Sequence, residues 1–143
     1  MSKRFTLDQA ARLLPHMTVY LREAIDMKAA YEEAEHQIQA FCQRVTVMGG
    51  MVVDHELNVE AKNKRDEAAQ RLRAAIEAVQ SAGAQIKDLD TGLIDFPTMY
   101  RGVEVCLCWK LGEDAIEYWH SVEEGFRGRK PIDGDFLANH KGD

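Results

Sequence analysis

Apolar side chains recur at helical spacing from Leu7 to about Val47, beginning with Leu7, Ala10, Ala11 and Leu14. Thr6 followed by Gln9 forms a Thr-x-x-Gln capping box, a helix start signal. Pro15 lacks an N–H, so a kink or restart is expected there. With Ile38 as reference and about 100° per residue, Met27, Tyr31, Ala34, Phe41, Cys42 and Val45 fall on one stripe. Gly49-Gly50 breaks the pattern, and Asp54 is the expected N-cap of a second helix. Leu57, Ala61, Ala68, Leu72, Ala75, Ile76 and Val79 carry the apolar face of that helix, and Gly83 terminates it. Two such helices form an antiparallel αα-hairpin.

Beyond Gly83 the period shifts toward two. Gln85–Leu89, Leu93–Met99 and Val103–Leu111 read as strands joined by turns at Asp90-Thr91-Gly92 and Arg101-Gly102. In the third, Val103, Val105, Leu107 and Trp109 share one face, and Glu104, Cys106, Cys108 and Lys110 share the other. Glu113–His120 reads as a short helix with acids in its first turn. Phe126 and Pro131-Ile132 are expected to pin the following loop, and Asn139–Asp143 to fray. The predicted fold is α+β and helix-dominated. A helical hairpin (1–83) carries a small antiparallel β-meander with a short helix and ordered tail (84–143). One hairpin cannot bury both flanks of its stripe, so a homodimer through the hairpin is the expected assembly.

Length and charge refine this picture. The chain has 143 residues and a net charge of −6. Residues 1–83 hold 11 Lys and Arg against 12 Asp and Glu, and residues 84–143 hold 7 against 12. The acid therefore concentrates in the second part, and no basic face suited to nucleic acid is expected. No apolar run approaches the roughly 20 residues of a membrane span, so no membrane partner is expected either. Three cysteines are too few and too odd for a disulfide framework and point to a reducing, cytoplasmic compartment.

Three segments carry a resemblance: Lys87-Asp88-Leu89-Asp90-Thr91-Gly92-Leu93-Ile94-Asp95-Phe96-Pro97, then Leu107-Cys108-Trp109-Lys110-Leu111-Gly112-Glu113, then Trp119-His120 with Gly125-Phe126-Arg127-Gly128-Arg129-Lys130-Pro131-Ile132. Together with Phe5, Leu7, Ala10, Leu13, Leu14 and Pro15 they resemble an uncharacterised bacterial family, domain of unknown function 2203. The resemblance implies a small cytosolic bacterial protein and brings no activity or cofactor with it. Cys106 stands where it implies an aliphatic side chain.

The candidate ligand-binding residues are Asp88, Asp90, Asp95, Glu113, His120, Arg127 and Arg129, with no metal or cofactor assigned. Clustered carboxylates suit a hard cation. Asp88-x-Asp90-x-Thr91-Gly92 nevertheless departs from a calcium loop, because its glycine comes one position early, and it reads as a turn. Glu117 and His120 form a Glu-x-x-His pair on the predicted helix. Glu33 and His36 form a second, but on the solvent side of the first helix, which argues against a di-iron centre. Cys106 and Cys108 share a strand face and read as buried structural thiols; a zinc site would want two more ligands, of which only His120 is an obvious third, and Cys108 with His120 as base is the nucleophilic alternative. Arg127 or Arg129 either holds an anion or docks the tail onto the acidic strands. Tyr100, Trp109, Tyr118, Trp119 and Phe126 read as the aromatic core of the second part.

Two functions remain. The first is a non-enzymatic interaction or assembly module working through the hairpin. The alternative is a small-ligand- or metal-binding protein, with enzymatic activity left open, whose acidic, histidine and arginine site lies within residues 88–129. Closed ion pairs favour the first, and unpaired groups converging on a pocket favour the second.

Overall fold

The computed structural model describes residues 3–47 and 55–143. Its contacts divide the chain into two compact units, residues 23–75 and residues 1–22 with 76–143. The fold class is α+β, with two long helices and an antiparallel sheet. Among the described residues no helix is long and apolar enough to cross a membrane.

Helix α1 spans Leu7–Val47 and helix α2 spans His55–Ser81. The capping box at the start of α1 is formed in both directions. Thr6 N–H donates to Gln9 Oε1 at 3.0 Å, and Gln9 N–H donates to Thr6 Oγ1 at 3.2 Å. Of the kink or restart expected at Pro15, the restart does not occur: α1 runs through it. Pro15 lies in the third turn, and Thr18 Oγ1 donates to Leu14 O at 2.9 Å beside the missing bond. Gly83 ends α2 with φ +104° and donates its N–H to Gln80 O. The expected Gly49-Gly50 break and Asp54 cap lie outside the described residues.

Within unit 23–75 the helices meet through small side chains. Ala24 and Ala34 on α1 and Ala61, Ala68 and Ala75 on α2 are buried, the last three spaced by seven. Arg65 pairs with Glu35 at 3.3 Å and Arg71 with Glu23 at 2.6 Å between the two helices. Two side chains assigned to the apolar stripes lie in solvent instead, Cys42 and Leu57. Glu33 and His36 are exposed, as their phase on the helix requires.

The other unit holds the sheet. Strands β1 (Gln85–Asp88), β2 (Leu93–Tyr100), β3 (Val103–Lys110), β4 (Tyr118–Ser121) and β5 (Lys130–Pro131) run in that order, all antiparallel. The sixth strand, β6 (His140–Lys141), pairs with β2. One edge of β2 therefore receives three segments in succession. Gln85 and Ile86 pair with Asp95 and Ile94, Phe5 N–H donates to Pro97 O at 2.7 Å, and β6 pairs with Met99 and Tyr100. Pro97 is tolerated in mid-strand because its carbonyl and its donorless nitrogen face that edge, where Phe5 needs only an acceptor.

Ile94, Phe96, Val105, Leu107 and Trp109 point from the sheet to one side. There they pack with Phe5, Met17, Leu21 and Val79. Phe5 and Phe96 meet edge to face at 5.3 Å.

Two expectations about the second part need correction. Residues 113–120 are not a helix. Glu113 closes the turn after β3 instead: Lys110 N–H donates to its Oε1 at 2.7 Å and Trp109 Nε1 donates to its carbonyl at 3.1 Å. Tyr118–Ser121 then pairs with Val105–Cys108. The free edge of β3 needs a partner for its ladder, and that long-range demand outweighs the local acidic helix signal. The tail does not fray either. Helix α3 (Gly134–Asn139) is capped by Asp133, whose Oδ1 accepts from Phe136 N–H at 2.8 Å. Phe136 stacks on Trp119 and His140. His140 Nε2 in turn accepts from Leu7 N–H at 3.0 Å, satisfying a first-turn donor of α1.

Candidate ligand site

The strand alternation that sends Ile94 and Phe96 to the core sends Asp95 and Pro97 to the other face. On β3 the same alternation places Cys106 and Cys108 there, and on β4 His120. The register then fixes their neighbours. Asp95 lies opposite Cys108, and Cys106 lies opposite both Pro97 and His120. Asp95 and His120 are buried, at 1% and 2% exposure. The two side chains reach over β3, and His120 Nε2 donates to Asp95 Oδ1 at 3.0 Å.

The hydrogen bonds define the charge state. His120 Nδ1 sits 2.6 Å from Ser121 O, and Nε2 faces a carboxylate. Both partners are acceptors, so both ring nitrogens carry protons and the ring is an imidazolium. The Asp95 hydrogen bond, reinforced by one to the Cys108 side chain, pushes the His120 pKa up to about 10 against the opposing effect of burial. Burial, and then the negative charge of Asp95, push the Cys106 thiol up to about 12. Around neutral pH the His120 ring is therefore an imidazolium that faces Asp95 beside a protonated Cys106 thiol. An imidazolium has no lone pair to take a proton from sulfur, so this arrangement is not a thiol nucleophile with its base.

One atom is left over. Asp95 Oδ2 is buried and has no hydrogen-bond partner. Leaving a buried acceptor unsatisfied costs about 1–3 kcal/mol, and more when it is charged. Asp95 also borders a cavity of about 220 Å³, whose wall includes Lys87, Glu104, Cys106, His120, Glu123 and Phe126. Among the described residues, Asp95, Cys106 and His120 each bring a potential metal-ligand atom within 4.8 Å of the others.

The other predicted site residues lie elsewhere and are engaged differently. Asp88 makes the turn its spacing suggests, accepting from Asp90 N–H at 3.2 Å and from Thr91 Oγ1 at 3.0 Å. Asp90 is exposed in that turn. Glu113 and Arg129 form a closed pair at 2.7 Å, with the Arg129 guanidinium 4.0 Å from the Tyr118 ring centroid and 4.8 Å from that of Phe126. Arg129 therefore docks the tail onto an acidic turn. Arg127 is exposed in the 3-10 turn Phe126–Gly128. The structure thus brings together Asp95 and His120, joins to them Cys106, which was read as a buried thiol, and adds Lys87, Glu104 and Glu123, which were not assigned to a ligand site from the sequence. The shared face of Glu104, Cys106 and Cys108 was the available signal. Lys87 and Glu123 gave none, because their approach depends on the β1–β2 register and on the loop after β4.

Residues 3–132 match the family model described as uncharacterized conserved protein (DUF2203). No curated protein and no solved structure matches the chain. The match covers α1, α2, strands β1 to β5 and every residue of the Asp95–His120 cluster, and the chain belongs to the uncharacterized conserved protein family DUF2203.

Proposed function

We propose that this is a small-ligand-binding protein whose site is the cavity beside Asp95 and His120. The observation that carries the reading is Asp95 Oδ2, a buried carboxylate oxygen without a partner at the edge of a cavity. Such an atom asks for a hydrogen-bond donor or a positive charge from whatever enters. Of the charged side chains on the same wall, Glu104 (paired with Arg4 at 3.4 Å) and Glu123 outnumber Lys87, which favours a cationic ligand over an anionic one. The thiols of Cys106 and Cys108, two apart on one strand, suit a reducing cytosol.

The test is a thermal-shift screen of primary amines, amino acids, polyamines and metal ions. A ligand that binds only the folded state raises the midpoint as its concentration exceeds Kd. Cationic hits that disappear in Asp95→Asn support the reading. An absence of cationic hits, or hits that survive in Asp95→Asn, overturns it.

A second reading is assembly of two copies through the hairpin. Leu57 and Val59 on α2 favour it, since both are large apolar side chains more than half exposed. Sedimentation equilibrium tests it: a dimer that dissociates in Val59→Lys supports it, and a monomer at all concentrations overturns it.

A further inference from the structure

We propose that Asp95, Cys106 and His120 form a three-point site for a borderline-soft divalent cation, best matched by Zn²⁺, with the adjoining cavity supplying an open fourth position. This rests on the cavity being a ligand site and names the ligand.

The donor set selects the ion. One carboxylate oxygen, one sulfur and one imidazole nitrogen suit zinc, whereas Mg²⁺ and Ca²⁺ require mostly oxygen. Zinc at about 2.0–2.3 Å from each ligand separates them by roughly 3.3–3.6 Å. Here the three atoms already lie within 4.8 Å of one another, with His120 Nε2 and Asp95 Oδ1 at 3.0 Å. The outer shell is also in place. His120 Nδ1–H donates to Ser121 O, which fixes the ring and turns Nε2 toward the other two ligands. Asp95 Oδ2 is an independent observation that points to a ligand, because it is buried and unpartnered at the edge of the cavity. Phe126 and the cavity beside the cluster leave room for a water or a small ligand on the ion's open side.

Binding releases the Nε2 proton of His120 and the thiol proton of Cys106 to solvent, so that a carboxylate, a thiolate and a neutral imidazole face the ion.

Co²⁺ is the probe, since it replaces Zn²⁺ and reports thiolate ligation through a ligand-to-metal charge-transfer band. The full chain is stripped with chelator, exchanged into chelator-free buffer and titrated. One equivalent of Co²⁺ should give the charge-transfer band with the intense visible bands of a tetrahedral site, and Zn²⁺ should erase both. Cys106→Ser and Cys106→Val should lose the charge-transfer band while keeping the wild-type circular dichroism. Cys108→Val should keep the band. Asp95→Asn and His120→Gln should weaken binding by at least about tenfold. A folded wild type that gives no cobalt spectrum overturns the proposal. So does a band that survives both Cys106 variants or is lost only in Cys108→Val. If the cobalt spectrum is absent while an amine still stabilises wild type and not Asp95→Asn, the ion fails and the ligand cavity stands. If both are absent, both readings fall.

Discussion

Asp95 and His120 belong to strands that do not touch, yet their side chains meet at 3.0 Å over the strand between them. Beneath the contact lie Cys106 and Cys108, which are the cross-strand neighbours of His120 and Asp95. Both ionic partners are buried, and removing one leaves an uncompensated charge. Asp95→Asn and His120→Ala should each cost about 3–5 kcal/mol in urea unfolding of the metal-free protein. The double variant should cost less than the sum, because neither charge is then stranded. Additive losses would show that the two groups do not act as a pair.

The same pair makes stability pH-dependent in chelator. The His120 pKa lies at about 10 in the folded chain against 6.5 for the free side chain, chiefly through Asp95. The raised value means that the folded state holds the proton more tightly. The stabilisation is complete below about 6.5 and disappears as pH rises to about 10. The thermal midpoint should therefore fall across that window in wild type, and the fall should flatten in His120→Gln. A midpoint that climbs over the same range would contradict the charge assignment.

The Glu113–Arg129 contact predicts a different substitution pattern. Arg129 donates to Glu113 Oε2 at 2.7 Å and lies over the rings of Tyr118 and Phe126. Lysine keeps the charge but loses the flat guanidinium that contacts both rings. Arg129→Lys should lower stability by roughly 1–2 kcal/mol and Arg129→Ala by somewhat more, both read from urea midpoints. Equal stability of wild type and Arg129→Lys would reduce the contact to a surface ion pair.

Thiol chemistry separates the three cysteines. Cys42 is exposed, whereas Cys106 and Cys108 are buried and the Cys106 thiol is pushed up to about 12. A disulfide reagent should modify one thiol quickly in the native protein and all three in denaturant, and Cys42→Ser should remove the fast phase. Rapid modification of two or three native thiols would show that the strand face is open to solvent.

Much of the fold was legible because its signals are local. The Thr6–Gln9 box, the helical spacing, the Gly83 stop and the period-two strands each lie within a few residues, and they appear where they were read apart from the exposed stripe positions Cys42 and Leu57. What escaped depends on distant partners. Glu113 carried a helix-start signal, but Lys110 N–H and the ladder of β3 made it a turn. The tail looked frayed until His140 met Leu7 and β6 met β2. Within the site, Asp88, Asp90 and Asp95 are three aspartates in eight residues, and composition does not distinguish them. Strand phase buries Asp95 and leaves Asp88 and Asp90 in a turn. Register then places Asp95 beside a histidine 25 residues away, a pairing that no motif encodes.

The shared edge of β2 has a consequence for colloidal behaviour. A strand edge with open N–H and C=O groups is a template for another chain's strand. Here β1, Phe5 and β6 divide that edge among them. Removing Lys141–Asp143 would uncover Met99 while keeping the contacts of His140 with Leu7 and Phe136. The expected product is a folded protein that associates edge to edge as its concentration rises. β6 thus occupies backbone groups of β2 that could otherwise pair with the strand of another chain.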